Sequence, residues 1–219
     1  QGYNSFRIKF LDSLYGYSIG NNYISMTSDG GLSWNTNICP VAINDCIPIS
    51  RKILIGVGSL GDIIRSSNFG INWENLKASD YSNRLSEIFS VSDSIMIAGG
   101  DDGDILKTYN YGKNWGRIST GINTFITSIY FIDNSTGFIT TPSFIYKTIN
   151  GGYNWNQIYD SAYYIEHIQM LNANTGFFCG REHTLKKTTN GGIDWIDKNI
   201  ATQLTYYSKV IFLDNQTGF

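Results

Sequence analysis

The chain has 219 residues, and its 16 Lys and Arg against 18 Asp and Glu leave a net charge of −2, a balance that excludes the basic footprint of a nucleic-acid binder. Aromatic residues reach 15% and charged residues only 16%, which excludes a disordered chain. No stretch approaches the ~18 consecutive apolar residues of a membrane-spanning helix.

The chain repeats itself. Trp34, Trp73, Trp115, Trp155 and Trp195 follow one another at spacings of 39, 42, 40 and 40 residues. Each closes an octet of pattern [ST]-x-[DN]-x-G-x-x-W, namely Thr27–Trp34, Ser66–Trp73, Thr108–Trp115, Thr148–Trp155 and Thr188–Trp195. The third position holds Asp29, Asn68, Asn110, Asn150 and Asn190. A second landmark stands between octets: Phe131–Phe138, Leu171–Phe177 and Phe212–Phe219, with a degenerate copy at Phe10–Tyr17. Repeats of this length mean solenoids, propellers or arrays. The units run approximately 1–38, 39–79, 80–121, 122–160 and 161–201, with 202–219 beginning a sixth.

Each unit reads as four short strands rich in Ile, Phe, Tyr and Thr between Gly/Asn/Asp clusters. In the fourth, the expected strands are 126–132, 138–141, 144–148 and 155–159. A short helix is the alternative at 74–90, on Leu85, Ile88 and Phe89. The octet suits a hairpin: its Gly permits positive φ, its Asp/Asn and Ser/Thr side chains bond turn amides, and its Trp packs beneath. Four-stranded units of this size are propeller blades that bury their faces on neighbours. The expected fold is therefore all-β, a β-propeller of four-stranded antiparallel blades with five full blades and the start of a sixth, as one domain or a fragment of one. The chain opens with Gln1, shows no signal peptide and stops at Phe219 inside a repeat, which reads as a mature chain or part of something longer. Cys39, Cys46 and Cys179 lack CxxC spacing, which excludes a zinc ribbon or disulfide-dense scaffold; a Cys39–Cys46 bridge stays open.

The octets resemble the Asp-box, or bacterial neuraminidase repeat, of β-propellers. With the Thr-Gly-Phe landmark they are most similar to photosystem-assembly-factor and sortilin-type propellers and those of secreted bacterial proteins. The resemblance implies structural roles for Asp29, Asn68, Asn110, Asn150, Asn190 and the five tryptophans. It also implies that ligands meet the face opposite the octets. That face would carry Tyr81 and Arg84, Asp101 and Asp102, Tyr163 and Tyr164, Arg181 and Glu182, and Tyr206 and Tyr207. Aromatic and Arg clusters are hot-spot chemistry, while Tyr163 and Tyr206 suit inter-blade packing equally. Asp101, Asp102 and Asp104 offer oxygens to Ca²⁺, yet Asp-Gly at a hairpin tip explains them more simply. Arg65, Lys107, Lys147 and Lys187 share one repeat position and read as a solvated blade edge. His167 and His183 have too few partners for a metal site or triad.

Sialidases of this resemblance hold a carboxylate with three arginines, the first in Arg-Ile-Pro. Arg7-Ile8-Lys9 comes close, with Lys9 replacing Pro, but no triad assembles. Asp80, Asp101 and Asp102 are the nominal carboxylates for a xyloglucanase-like site. No catalytic residue, metal or cofactor is expected. The expected function is a non-catalytic scaffold binding a protein partner, part of a larger exported or cell-surface bacterial protein, extracellular or periplasmic; the alternative is a glycan-binding or glycoside-hydrolysing propeller.

Overall fold

A computed structural model describes residues 7–20, 22–76, 81–198 and 207–218. Among these described residues, twenty strands form five four-stranded antiparallel sheets, each ordered first to fourth as the chain runs. The first holds β1 (Arg7–Phe10), β2 (Gly16–Ile19), β3 (Tyr23–Thr27) and β4 (Asn35–Ile38). The second holds β5 (Ile43–Pro48), β6 (Leu54–Gly58), β7 (Ile63–Ser66) and β8 (Glu74–Asn75). The third holds β9 (Leu85–Ser90), β10 (Met96–Gly100), β11 (Ile105–Thr108) and β12 (Gly116–Ile118). The fourth holds β13 (Ser128–Phe131), β14 (Gly137–Thr140), β15 (Phe144–Thr148) and β16 (Asn156–Asp160). The fifth holds β17 (Ile165–Met170), β18 (Gly176–Gly180), β19 (Leu185–Thr188) and β20 (Ile196–Asp197). An antiparallel bridge between Phe212 and Gly218 follows.

The chain divides into two compact units, Gln1–Asp101 with Ile105–Arg117, and Asp102–Asp104 with Ile118–Phe219. In the first, β2 packs on β5 and β5 on β9, burying Ile24, Ile43, Leu54 and Ile64 in one layer and Ile55, Val57, Leu85 and Leu106 in the next. In the second, β13 and β14 pack on β17 around Phe138, Ile145, Ile168 and Phe178. Each buried aliphatic or Phe side chain contributes roughly 1.5–3 kcal/mol, and the layer belongs to two sheets at once, so no sheet has a core of its own.

The helical alternative at 74–90 is overturned: the described part forms β8 and β9. Its helix-like spacing has another cause. A bulge makes the pairing register skip Ser86, so Leu85 and Ile88 both face the core three residues apart. The same device sets Ile43 and Cys46, and Ile165 and Ile168, three apart around Asn44 and Glu166. The open disulfide alternative also falls: all three cysteines are free and buried. Burial pushes the Cys39 and Cys179 thiols up to about 12, leaving them protonated.

The octet hairpin is a closed hydrogen-bond unit. Thr27, Ser66, Thr148 and Thr188 hydroxyls accept the amides of Gly31, Gly70, Gly152 and Gly192 at 2.8–3.0 Å. Asp29, Asn68, Asn110, Asn150 and Asn190 each accept the amide four residues on at 2.9–3.0 Å. Every indole donates to the carbonyl of its octet's fifth residue at 2.9–3.1 Å. That glycine has φ between 70° and 92°, and the fourth residue is left-handed as well, even where it is Phe69 or Tyr111 (φ 63° and 60°). The reason is outward: the fourth residue's amide reaches the first hairpin's turn of its own sheet, as in Gly30 to Leu14 O at 2.9 Å and Gly191 to Asn174 O at 2.8 Å.

Both hairpins therefore meet at one end of each sheet. The landmark turn there is built on Asp12, Asp133, Asn172 and Asp214, whose side chains each accept two turn amides. This aligns Met170, not Leu171, with Phe131, since these two pair with Gly176 and Gly137. The landmark glycine has no room for a side chain: a Cβ on Gly137 would lie 2.5 Å from the Phe131 ring.

Candidate functional site

At the opposite end, the segment that opens the third and the fifth sheet is tied to the turn between that sheet's second and third strands. In the third sheet the Asp101 amide donates to Arg84 O at 3.1 Å, and in the fifth the Arg181 amide donates to Tyr164 O at 3.0 Å. Arg84 and Tyr164 are thus equivalent, as are Asp101 and Arg181. The third sheet places Arg84 and Asp101 side by side at 3.5 Å, both half exposed, a pair worth little in water. Tyr81, expected with them on the ligand face, is instead 2% exposed and part of the core between β5 and β9, with the Arg117 guanidinium 5.5 Å from its ring. Asp80 and Tyr206 lie outside the described residues.

The second unit brings more of the candidates together. Its focus is Arg181, which stacks over the Tyr164 ring at 4.1 Å and reaches Glu166 at 3.3 Å. Phe125 flanks Tyr164 with ring centroids 6.3 Å apart. Phe125 and Tyr163 are 38% and 44% exposed. The Tyr207 amide donates to Gly180 O at 3.2 Å, which sets that residue beside the same turn. Burial, and then the Glu166 charge, hold the Tyr164 phenol above its ordinary value against the opposing effect of Arg181; the phenol stays a neutral donor. The turn is strained: Glu182 and His183 have φ of 54° and 62°, at a cost of about 1–2 kcal/mol each. In the second sheet the equivalent turn is a 3-10 turn at Ser59–Gly61, where a glycine occupies the position of His183.

Asp101-Asp102-Gly103-Asp104 is another turn of this kind. Asp102 accepts the Asp104 amide at 3.3 Å, while Asp104 is buried and accepts the Thr120 amide at 3.3 Å. Among the described residues, no three His, Cys, Asp or Glu side chains converge as metal ligands.

Two arrangements escaped the sequence. The first is a charge network on the opening strands of the first unit. Asp45, fully buried, meets Arg7 at 2.9 Å and Lys9 at 3.0 Å, and Arg7 also meets Glu87 at 3.0 Å. Arg7, Asp45, Glu87, Ser128 and His167 occupy one register position in the five sheets, opposite Ile19, Val57, Gly99, Thr140 and Cys179. A polar residue recurring at that position was the available signal. Burial pushes the Arg7 guanidinium down, and the two carboxylates more than reverse this.

The second corrects the solvated edge. Arg65 Nε donates to Tyr111 O at 3.3 Å and Lys147 Nζ to Gly191 O at 3.1 Å. Tyr111 and Gly191 are the fourth residues of the next octet, so each cation clasps the following sheet. Lys147 and Lys187 lie over the Phe138 and Phe177 rings at 5.4 and 5.3 Å, and Lys107, 5% exposed, lies over Tyr109 at 4.8 Å.

No family model and no curated protein matches the chain. Solved structures do. A YCF48 bound to D1 peptide is 14% identical, with a TM-score of 0.64 over 99% of this chain and 88% of that one. An ancestral GH74 enzyme is 15% identical, with a TM-score of 0.76 over 93% of this chain but only 32% of the enzyme. The WD40 propeller domain of Doa1 is 12% identical, with a TM-score of 0.73 over 96% of this chain and 72% of that one. At these identities the likeness speaks to fold, and the fold is that of a β-propeller built from four-stranded antiparallel sheets.

Proposed function

We propose that the chain is a non-catalytic propeller of the Asp-box type that binds a protein partner, within a larger exported or cell-surface bacterial protein. The observation that carries this reading is Arg181 stacked on Tyr164 beside half-exposed Phe125 and Tyr163. Arg and Tyr held rigidly next to one another lose little freedom on binding and are the residue types that dominate protein interfaces. The likeness to a YCF48 that holds a peptide is consistent with it. The glycoside-hydrolysing alternative draws on the likeness to GH74. A sialidase-like version would need Arg7 as a carboxylate holder, and Arg7 is already engaged by Asp45 and Glu87; a xyloglucanase-like version would need carboxylates such as Asp101, which pairs with Arg84 at 3.5 Å.

The test is a random-peptide display selection on the whole chain, followed by affinity measurement on variants. Arg181→Ala and Tyr164→Ala should each weaken the selected peptides at least ~10-fold, the effect of removing one hot-spot side chain. Undiminished binding by both variants refutes the site. Turnover in a sialoside and plant-polysaccharide panel supports the alternative instead.

A further inference from the structure

The residue preceding each octet pairs across its hairpin with the second residue of the sheet's second strand. The five pairs are Met26 with Tyr17, Arg65 with Ile55, Lys107 with Ile97, Lys147 with Phe138 and Lys187 with Phe177. The position is basic in four sheets and methionine in the first. Where the clasp is seen, the cation donates to the carbonyl of the next octet's fourth residue, Tyr111 or Gly191. The corresponding carbonyl for the first sheet is that of Phe69. Met26 carries no donor, and among the described residues no side chain donates to Phe69 O.

A cleft opens at this place. It measures about 560 Å³ and is lined by Met26, Tyr15, Phe69, Ile71 and the β4 residues Thr36 and Asn37, among others, none of them charged. β4 is the outermost strand of its sheet, with Asn35, Thr36 and Ile38 exposed. Its outer backbone edge faces no further strand of that sheet, which is the geometry that accepts an extended peptide.

We propose that this cleft binds a Lys or Arg side chain of a partner's extended segment, which lies along β4 and supplies to Phe69 O the cation that the chain itself supplies in the second and fourth sheets. Its walls suit that role: an aromatic ring at Phe69 and the neutral side chain of Asn37 receive an ammonium or guanidinium, and the neighbouring cation, Arg51 over the Tyr15 ring at 4.2 Å, is paired with Asp12 at 3.0 Å. The cleft belongs to the first unit and is separate from the cluster around Arg181.

The test is calorimetry on the whole chain with a capped hepta-threonine peptide carrying a central lysine, and with norleucine at the centre, at physiological salt. The lysine peptide should bind about tenfold tighter, the effect of one charge-assisted hydrogen bond, and should shift the Gly70 amide signal in NMR. Met26→Lys, which restores the residue type of the other four sheets, should abolish that preference and raise Tm. Equal affinity for the two peptides assigns the cleft to apolar side chains and overturns the proposal. A preference that survives Met26→Lys, or leaves the Gly70 signal unmoved, overturns it too.

Discussion

Replacing Asp45 by alanine tests whether the charge network on the opening strands ties the first three sheets together. The Asp45 carboxylate is fully buried and receives Arg7 at 2.9 Å, Lys9 at 3.0 Å, the Cys46 amide at 2.8 Å and the Ile88 amide at 3.2 Å. Alanine removes the acceptor from all four donors. Breaking a buried pair from one side costs roughly 3–5 kcal/mol. Arg7 keeps Glu87, and the Arg7 and Lys9 side chains remain 31% and 27% exposed, so the cost falls at the lower end, about 3 kcal/mol. For a chain of this size that lowers Tm by roughly 6–12 °C. Thermal unfolding followed by circular dichroism at pH 7 measures it. An Arg7→Met, Asp45→Leu double variant, which removes charge from both sides, should recover much of the loss. A fall in Tm below about 3 °C for Asp45→Ala would refute the reasoning.

Other outcomes follow from the same geometry. Glu87 is held above the ordinary glutamate value of 4.5 by burial first and the Asp45 charge second, against Arg7 and Lys9. The folded chain therefore holds that proton more tightly than the unfolded chain, a contribution present below pH 4.5 and lost as pH rises through the folded value. Glu87→Gln should remove this, so the Tm difference, variant minus parent, should grow as pH rises from 4.5; a flat difference contradicts it. Asp29 is held at about 2 by the Ser33 hydroxyl and amide and the Thr27 hydroxyl. Its contribution is present above the ordinary 3.8 and lost as pH falls through about 2. Asp29→Asn, the residue type of the other four octets, should lower neutral-pH Tm slightly and flatten the acid limb of the stability curve, so that the two proteins converge as pH falls toward 2. Trp195 packs 4.8 Å from Phe178 and 6.2 Å from Tyr159, and Trp195→Ala should cost about 2–4 kcal/mol in urea unfolding because the ring is only partly buried; a cost below ~1 kcal/mol contradicts its role as the anchor of the fifth sheet.

The octets were legible because their chemistry is local: every bond from Thr148 or Asn150 within the hairpin spans two to four residues. The third strand of the fourth unit was read to the residue, and its neighbours differ by two residues or fewer. What the sequence hid depends on partners a whole repeat away. Tyr81 looks like a loop tyrosine until β9 and the 3-10 turn close around it, with Tyr81 O pressed against Gly61. Arg65 and Lys147 look like surface cations until the next octet supplies a carbonyl 46 and 44 residues on. The helical alternative at 74–90 drew on Leu85, Ile88 and Phe89, where a bulge changes the strand's period for one residue. Within the candidate site, Tyr164 and Arg181 were named from loop position, whereas their stacking and the contribution of Phe125 required the fold.

Hydrogen exchange with and without a display-selected peptide most directly tests whether this end of the propeller is the binding surface. Slowed exchange should concentrate in residues 161–166 and 181–184. Slowing confined to the octet hairpins, with those two segments unchanged, would contradict the assignment.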